Sequence, residues 1–185
     1  MNLLVADIGG TNARFGYQKN KESEIEHIEF FNCVDFKNID HAVLHYISKN
    51  QLVVDNLSLS IAGPCEDNLI KFTNNHWFFK KNELLKKIGC NSLLAVNDFA
   101  AQGLGFTSFF KNNLNFLDRE VLKDHMLYLL KSGKIIDNSN VLITGPGTGL
   151  GVGTLLFHDN GLLPIQGEGC LLYKSDAADD TDSVD

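Results

Sequence analysis

A chain of 185 residues has room for one ordinary domain, or for one domain and the start of another. Hydrophobic residues make up 44% of the chain and charged residues 21%, a composition typical of a soluble globular protein that excludes a disordered chain. The formal net charge of -7 argues against nucleic acid as the main partner, because phosphate binding needs clustered Lys and Arg.

The cysteines and the N-terminus indicate a cytoplasmic protein. The four cysteines show no C-x-x-C spacing, so we predict neither a zinc site nor a disulfide framework, but free and mostly buried thiols. The apolar run at residues 3–6 is too short for a signal peptide or for the roughly 20 residues of a membrane span.

The first thirty residues predict the antiparallel start of a sheet. Residues 3–6 form a continuous apolar run that ends in Asp7 and two glycines, which is typical of a buried strand followed by a tight turn. Residues 13–17 are extended in character, and a third, less regular strand contains Ile25, Ile28 and Phe30.

An alternation of helices and strands follows and predicts parallel pairing in an α/β domain. A helix contains Ile39, Val43, Leu44 and Ile47, with Asp35 or Asn38 as its cap. Residues 57–62 predict a strand, and residues 69–72 predict the return arm of a hairpin across residues 66–68. Residues 82–88 predict a helix that Gly89 ends, and residues 92–96 predict a buried strand.

The remainder is less regular. Residues 106–138 give no assignment except a helical stretch at 119–130. Strands at 141–144 and 152–158 flank a glycine-rich turn at 145–151.

Two glycine turns between strands are candidate phosphate sites. In the first, Gly9 and Gly10 let backbone N–H groups approach an anion, Thr11 and Asn12 add neutral donors, and Asp7 could hold Mg²⁺ through water. This is not a Walker A loop, and for the Gly-Gly dipeptide alone a plain hairpin turn is the favoured interpretation. The second turn offers Gly147, Thr148 and Gly149. Each turn alone is a weak signal, and the pair suits a nucleotide held by its phosphates.

Three further segments carry polar groups. Asp98 follows Asn97 at the end of a buried strand, where it could act as a general base or simply cap a helix at 99–104, and spacing favours neither. Asn74 and Asn75 could bind a sugar, whereas His76 and Trp77 are expected to be packing residues. Glu168 lies between two glycines and could accept hydrogen bonds from hydroxyls, although alone it indicates no more than a turn.

In this order, the stretches ADIGGTNARFG, FTNNHWFF, AVNDFAAQGLG, ITGPGTGLGVG and GEG resemble the bacterial glucokinase family. The resemblance implies an α/β actin-like ATPase (ribonuclease H-like) N-terminal domain with a mixed sheet, plus the first hairpin of a second domain. It also implies phosphorylation of the glucose 6-hydroxyl, with ATP and Mg²⁺, by a protein that is a homodimer in its family.

Carried over residue by residue, the resemblance assigns three sets of site residues. Asp98 would be the general base, and Asn97, Asp98, Glu168 and Asn74 would bind the sugar. The ATP phosphates would contact two sets of residues: Asp7, Gly9, Gly10, Thr11 and Asn12, then Gly147, Thr148 and Gly149.

The resemblance stops after Gly169. The family continues with Gly-His, whereas the segment from Cys170 onward matches no part of a glucokinase and resembles a translated sequencing adapter. We therefore expect an N-terminal lobe at 1–105, a helical connection at 106–140, the start of a second lobe at 141–169 and a non-native tail at 170–185. A chain cut at this point is expected to be inactive or nearly so.

Two alternatives remain. One is another sugar kinase of the superfamily, such as a ROK-type fructokinase or mannokinase. The other is a sugar-sensing regulator that binds without phosphorylating, although the absence of a helix-turn-helix before the first strand and the acidic charge favour the enzyme.

Overall fold

The computed structural model describes residues 1–72, 74–112, 130, 139–146, 150–158 and 161–170. The chain divides into two compact units, Met1–Asp98 and Phe99–Asp185, and the four-part division expected from the sequence stays a prediction. Of the helix expected at 119–130, only Leu130 lies among the described residues. Within these residues no helix is both long and apolar enough to cross a membrane.

The first unit is built on a five-stranded mixed sheet. Its elements in chain order are β1 (Leu3–Ile8), β2 (Asn12–Gln18), β3 (Glu26–Asn32), α1 (Ile39–Asn50), β4 (Asn56–Ile61), β5 (Leu69–Lys71), β6 (Phe78–Lys80), α2 (Lys81–Ile88) and β7 (Ser92–Asn97). The strand order is β3-β2-β1-β4-β7, with β1, β2 and β3 antiparallel and β1, β4 and β7 parallel. Both the antiparallel start and the parallel continuation predicted from the sequence are confirmed.

One face of this sheet forms the core of the unit. Alternate residues of β1 and β4 are buried, among them Leu4, Ile8, Leu57 and Ile61, as period-2 side-chain alternation requires. Val43 and Tyr46 of α1, Leu84 of α2 and the side chain of Trp77 complete the same cluster. The α1 and α2 helices therefore form a layer on the sheet.

Helix α1 begins at Ile39, and of the two predicted caps Asn38 is the one used. Its side-chain oxygen accepts a hydrogen bond from the Ile39 N–H at 3.0 Å. The helix ends at Asn50, and its C-cap Gln51 is in the left-handed conformation with φ 53°. Asp40 in the first turn and Lys49 in the last both complement the helix dipole.

Residues 69–71 form a strand, but the prediction that this strand returns as a hairpin along the preceding strand is wrong. Both edges of β4 already carry parallel neighbours, so β5 pairs instead with β6 in a separate two-stranded sheet. The preceding loop has another role, because Asn68 accepts a hydrogen bond from the Asn82 N–H at 3.2 Å. Helix α2 thus begins at Lys81 with a cap from this loop, and it ends at Gly89 with φ 79°, as predicted.

The second unit contains a three-stranded antiparallel sheet. Helix α3 (Asp98–Asn112) leads into this unit, and the strands are β8 (Val141–Pro146), β9 (Leu150–His158) and β10 (Gly161–Cys170) in the order β10-β9-β8. The two strands predicted here are confirmed. The bend predicted around Glu168 is wrong, because Glu168 lies in β10 opposite Gly151, and the register shifts only between Glu168 and Cys170. Ladder pairing with β9 overrides the turn preference of the two glycines.

Candidate active site

The carboxyl ends of three parallel strands bring the first glycine turn and the Asn97–Asp98 pair to one edge of the sheet. Ile8 of β1 lies opposite Ile61 of β4, and Ile61 lies opposite Asn97 of β7. Since neighbouring strands lie about 4.8 Å apart, the ends of β1 and β7 are separated by about 10 Å across the sheet. The carboxyl edge is where open α/β sheets bind ligands. This register makes the edge the candidate site.

The first glycine turn is held in shape by backbone hydrogen bonds. The N–H of Gly9 donates to the carbonyl of Asn12 at 2.9 Å, and the N–H of Cys33 donates to the carbonyl of Thr11 at 2.8 Å. The side chains of Thr11 and Asn12 are exposed, so both are accessible to a ligand.

Gly10 is needed here for a reason that the sequence did not indicate. A Cβ atom at Gly10 would lie 2.9 Å from the carbonyl oxygen of Asn74 and 3.0 Å from the Asn74 Cβ. The absence of a side chain therefore lets the Asn74 backbone approach the turn. The sequence predicted Asn74 as a sugar ligand and Gly10 as a phosphate contact, and the fold makes them neighbours.

Asp7 presents an exposed carboxylate beside this turn. It accepts a hydrogen bond from Ser60 Oγ at 3.1 Å, across the β1–β4 pair. Among the described residues, no group of three or more His, Cys, Asp or Glu side chains forms a metal cage. One exposed carboxylate nevertheless fits Mg²⁺, which keeps several waters and is commonly held by one or two carboxylates plus substrate phosphates.

Asn75 contacts the first glycine turn, which the sequence analysis did not predict. Its Nδ2 donates to the carbonyl of Gly9 at 3.2 Å, and its Oδ1 accepts from the N–H of Trp77 at 3.0 Å. Trp77 is 1% exposed and belongs to the core, as expected for a packing residue. His76 is exposed, with Nε2 3.0 Å from the carbonyl of Phe36. The only sequence signal for Asn75 was its place in a run of amides before a tryptophan.

Asn97 and Asp98 lie at the junction of β7 and α3. Asn97 is 9% exposed, and its Nδ2 donates to the carbonyl of Gly63 at 3.4 Å. Asp98 is half-buried and is the first residue of α3, so both interpretations of its position are compatible with the fold: it starts a helix and also follows a buried strand.

The loop after β4 lies against this pair. The thiol of Cys65 donates to the Gly63 carbonyl at 3.5 Å, and Lys81 Nζ donates to the Cys65 carbonyl at 2.5 Å. Burial raises the pKa of Cys65 to about 11, the charge of Lys81 partly offsets that effect, and the charges of Glu66 and Asp98 raise the pKa further. The hydrogen bond from Asn97 to the Gly63 carbonyl places this loop beside the end of β7, which the candidate base follows.

The second glycine-rich segment is only partly described. Gly147, Thr148 and Gly149 lie outside the described residues, and for Glu168 only the strand position is described. Three neighbouring glycines pack on Phe99: a Cβ at Gly151 would lie 1.8 Å from its ring, one at Gly145 2.9 Å from its ring, and one at Gly153 3.0 Å from its Cβ. The glycine spacing in the sequence suggested phosphate binding, but it did not indicate that Phe99 packs on the β8–β9 hairpin.

The family model and the curated relatives that match this chain carry the same description. The family model described as Glucokinase matches residues 4–178. The glucokinase of Hahella chejuensis is 36% identical over 167 residues, which are 90% of this chain and 48% of that protein. The chain thus spans about half the length of the curated relatives it matches.

Solved structures agree on the fold. A glucokinase from an Antarctic psychrotroph superposes with a TM-score of 0.70 at 30% identity, covering 91% of this chain and 50% of that one. A ROK family glucokinase from Streptomyces griseus in complex with glucose and AMPPNP gives a TM-score of 0.56 at 18% identity, covering 92% and 49%, and shows the fold alone. The predicted actin-like ATPase fold with a mixed sheet is confirmed, and the chain belongs to the glucokinase family.

Proposed function

We propose that the protein to which these 185 residues belong phosphorylates the 6-hydroxyl of glucose with ATP, giving glucose 6-phosphate and ADP. The observation that carries this proposal is the register Ile8–Ile61–Asn97, because it brings a glycine turn and a strand-terminal carboxylate to one edge of the sheet. Membership of the glucokinase family supports the choice of reaction.

In this reaction Asp98 is the general base. Its carboxylate accepts the proton of the sugar 6-hydroxyl, the freed oxygen attacks the γ-phosphorus, and the bond from that phosphorus to the ADP oxygen breaks. Asn97 binds the sugar beside Asp98, and its bond to the Gly63 carbonyl fixes its amide. Asn74 and Glu168 contribute further sugar contacts.

The phosphates of ATP are bound by glycine-turn residues. Gly9, Gly10, Thr11 and Asn12 supply neutral N–H and hydroxyl donors, as do Gly147, Thr148 and Gly149. Mg²⁺, when bound, neutralises charge on the phosphates, and Asp7 is the carboxylate that would hold it. The nucleotide analogue and glucose in the Streptomyces griseus structure support this choice of ligands.

We further propose a cytoplasmic location, since Cys33 and Cys90 are buried thiols that form no disulfide bond, which suits a reducing compartment. The homodimer expected for the family and the non-native character of residues 170–185 stay predictions.

The test is an assay of glucose-dependent glucose 6-phosphate formation, coupled to its dehydrogenase. It should use the 185-residue chain and a chimera that adds the second half of the Hahella chejuensis relative. We expect Asp98→Asn to lower turnover by about 10²–10⁴-fold, because the base is lost, whereas Asp67→Asn, an exposed loop carboxylate, leaves it unchanged. Turnover retained by the Asp98→Asn chimera would refute the assignment of the base.

The same assay separates the remaining alternatives. Preference for fructose or mannose over glucose would indicate another sugar kinase of the superfamily. Glucose binding by calorimetry, with no product under any condition, would favour a sugar-sensing protein.

A further inference from the structure

The peptide between Gly9 and Gly10 is held by a side chain that lies 66 residues further along the sequence. Asn75 Nδ2 donates to the Gly9 carbonyl oxygen at 3.2 Å, and the thiol of Cys33 approaches the same oxygen at 4.0 Å. The carbonyl is therefore turned toward Asn75 and Cys33.

This contact also fixes the direction of the next N–H. The described part of the chain contains no cis peptide bond, so the Gly9–Gly10 peptide is trans and planar. In a trans peptide the C=O and N–H bonds point to opposite sides. The Gly10 N–H must therefore point away from Asn75. Because glycine has few steric limits, such a peptide can rotate unless a partner holds it.

Asn75 is itself firmly placed. Its Oδ1 accepts from the Trp77 N–H at 3.0 Å, and Trp77 is buried with its indole Nε1 bonded to the Phe36 carbonyl at 3.1 Å. Since one Asn75 atom faces a donor and the other an acceptor, the amide has a single satisfactory orientation. The Asn74 backbone, packed on Gly10, braces the turn from the same segment.

We propose that Asn75 is a positioning residue that aims the Gly10 N–H at a phosphate oxygen of the nucleotide. The inference rests on the proposed function, because that proposal makes the turn a phosphate site. Asn75 touches no reacting atom and acts only through the peptide that it orients.

The test compares Asn75→Leu with Asn38→Leu in the chimera that adds the second half of the Hahella chejuensis relative, because the 185-residue chain spans about half of that protein's length. Asn38 is a matched control, since its amide also joins two segments by bonding Ile39 and Phe78, and no candidate ligand contact is assigned to it. Asn75→Asp is the second variant, because it keeps an acceptor for the Trp77 N–H and loses the donor to Gly9. The readouts are the N–H residual dipolar coupling of Gly10, which reports the bond direction, and the dissociation constant for Mg-AMPPNP.

We expect the Gly10 coupling to change in both Asn75 variants while the couplings of β1 stay the same. We also expect Asn75→Leu to bind Mg-AMPPNP about tenfold more weakly, the loss of one hydrogen bond to a charged group. Asn38→Leu should change neither readout.

Other outcomes overturn the idea in different ways. An unchanged Gly10 coupling in both Asn75 variants would show that Asn75 does not orient the peptide. A changed coupling with unchanged affinity would refute the phosphate role and leave the proposed function intact. A wild-type chimera that binds no Mg-AMPPNP would remove the nucleotide role of the turn, and with it the phosphate role of Asn75.

Discussion

Asn97 and Gly63, which are 34 residues apart in the chain, are joined by a hydrogen bond of 3.4 Å from the Asn97 amide to the Gly63 carbonyl. Asn97 ends β7, and Gly63 lies in the loop that follows β4, so the bond ties two neighbouring strand ends together. Lys81 holds the same loop from α2 through the Cys65 carbonyl. The candidate sugar-binding amide is therefore fixed before any ligand arrives, which reduces the ordering cost of binding.

Gly10→Ala should destabilise the first unit by about 1–3 kcal/mol, because the new Cβ would press on the Asn74 backbone, which cannot move aside as a flexible side chain would. Urea unfolding at equilibrium measures this change. Gly9→Ala is the control, since its Cβ would meet only the Asn12 carbonyl oxygen at an ordinary 3.6 Å. Equal losses in the two variants would contradict the close approach of Asn74.

Two glycines of the second unit should respond with opposite signs. Gly151→Ala would drive a methyl group into the Phe99 ring and should cost about 1–3 kcal/mol. Gly105→Ala lies in α3 with no atom within 4 Å of the new Cβ, and should stabilise the protein by about 0.5–1 kcal/mol through helix propensity. Thermal unfolding of both variants checks the signs, and a stabilising Gly151→Ala would argue against the Phe99 packing.

The Cys65 thiol should react slowly with iodoacetamide at pH 8. Burial raises its pKa to about 11, so only roughly one thiol in a thousand is ionised at that pH. The labelling rate, followed by peptide mass spectrometry, should rise about tenfold per pH unit between pH 7 and 9. Labelling in urea provides the unfolded control. A rate that levels off below pH 9 in the folded chain would contradict the raised pKa.

Asp40→Asn should destabilise the protein at neutral pH and have little effect in acid. Burial tends to raise the pKa of Asp40, but the hydrogen bond and charge of Lys87, with a smaller contribution from His41, lower it below its usual value. A carboxyl with a lowered folded-state pKa contributes stability above its unfolded pKa and loses it as the pH falls through the folded value.

The loss at pH 7 should be about 0.5–1 kcal/mol, because Lys87 is half exposed and solvent screens the pair. Urea unfolding at several pH values between 7 and 2 measures it, with Asp35→Asn as an exposed control on a neighbouring segment. The difference from wild type should shrink toward pH 2. A difference that stays constant with pH would show that the Asp40–Lys87 pair does not contribute through its charge.

Much of the first unit follows from local pattern. The strands ending at Ile8, Ile61 and Asn97 are continuous or alternating apolar runs, and Gly89 ends α2 where the sequence predicted. The prediction failed for residues 69–72, because local pattern shows that a strand exists and does not show which edges are already occupied. It failed at Glu168 because an available partner strand can extend a glycine-rich segment.

The candidate site shows the same division. The sequence by itself determined the chemical groups: the Gly9–Gly10 turn, the carboxylates of Asp7 and Asp98, and the order of motifs that marks the family. Only the tertiary structure decided that Asn75 holds the turn, that Asn74 packs on Gly10, and that Phe99 explains three glycines of the second segment. The physical reason is that residue type and spacing fix local conformation, whereas contacts between distant segments depend on strand register and on which backbones approach closely enough to exclude a side chain.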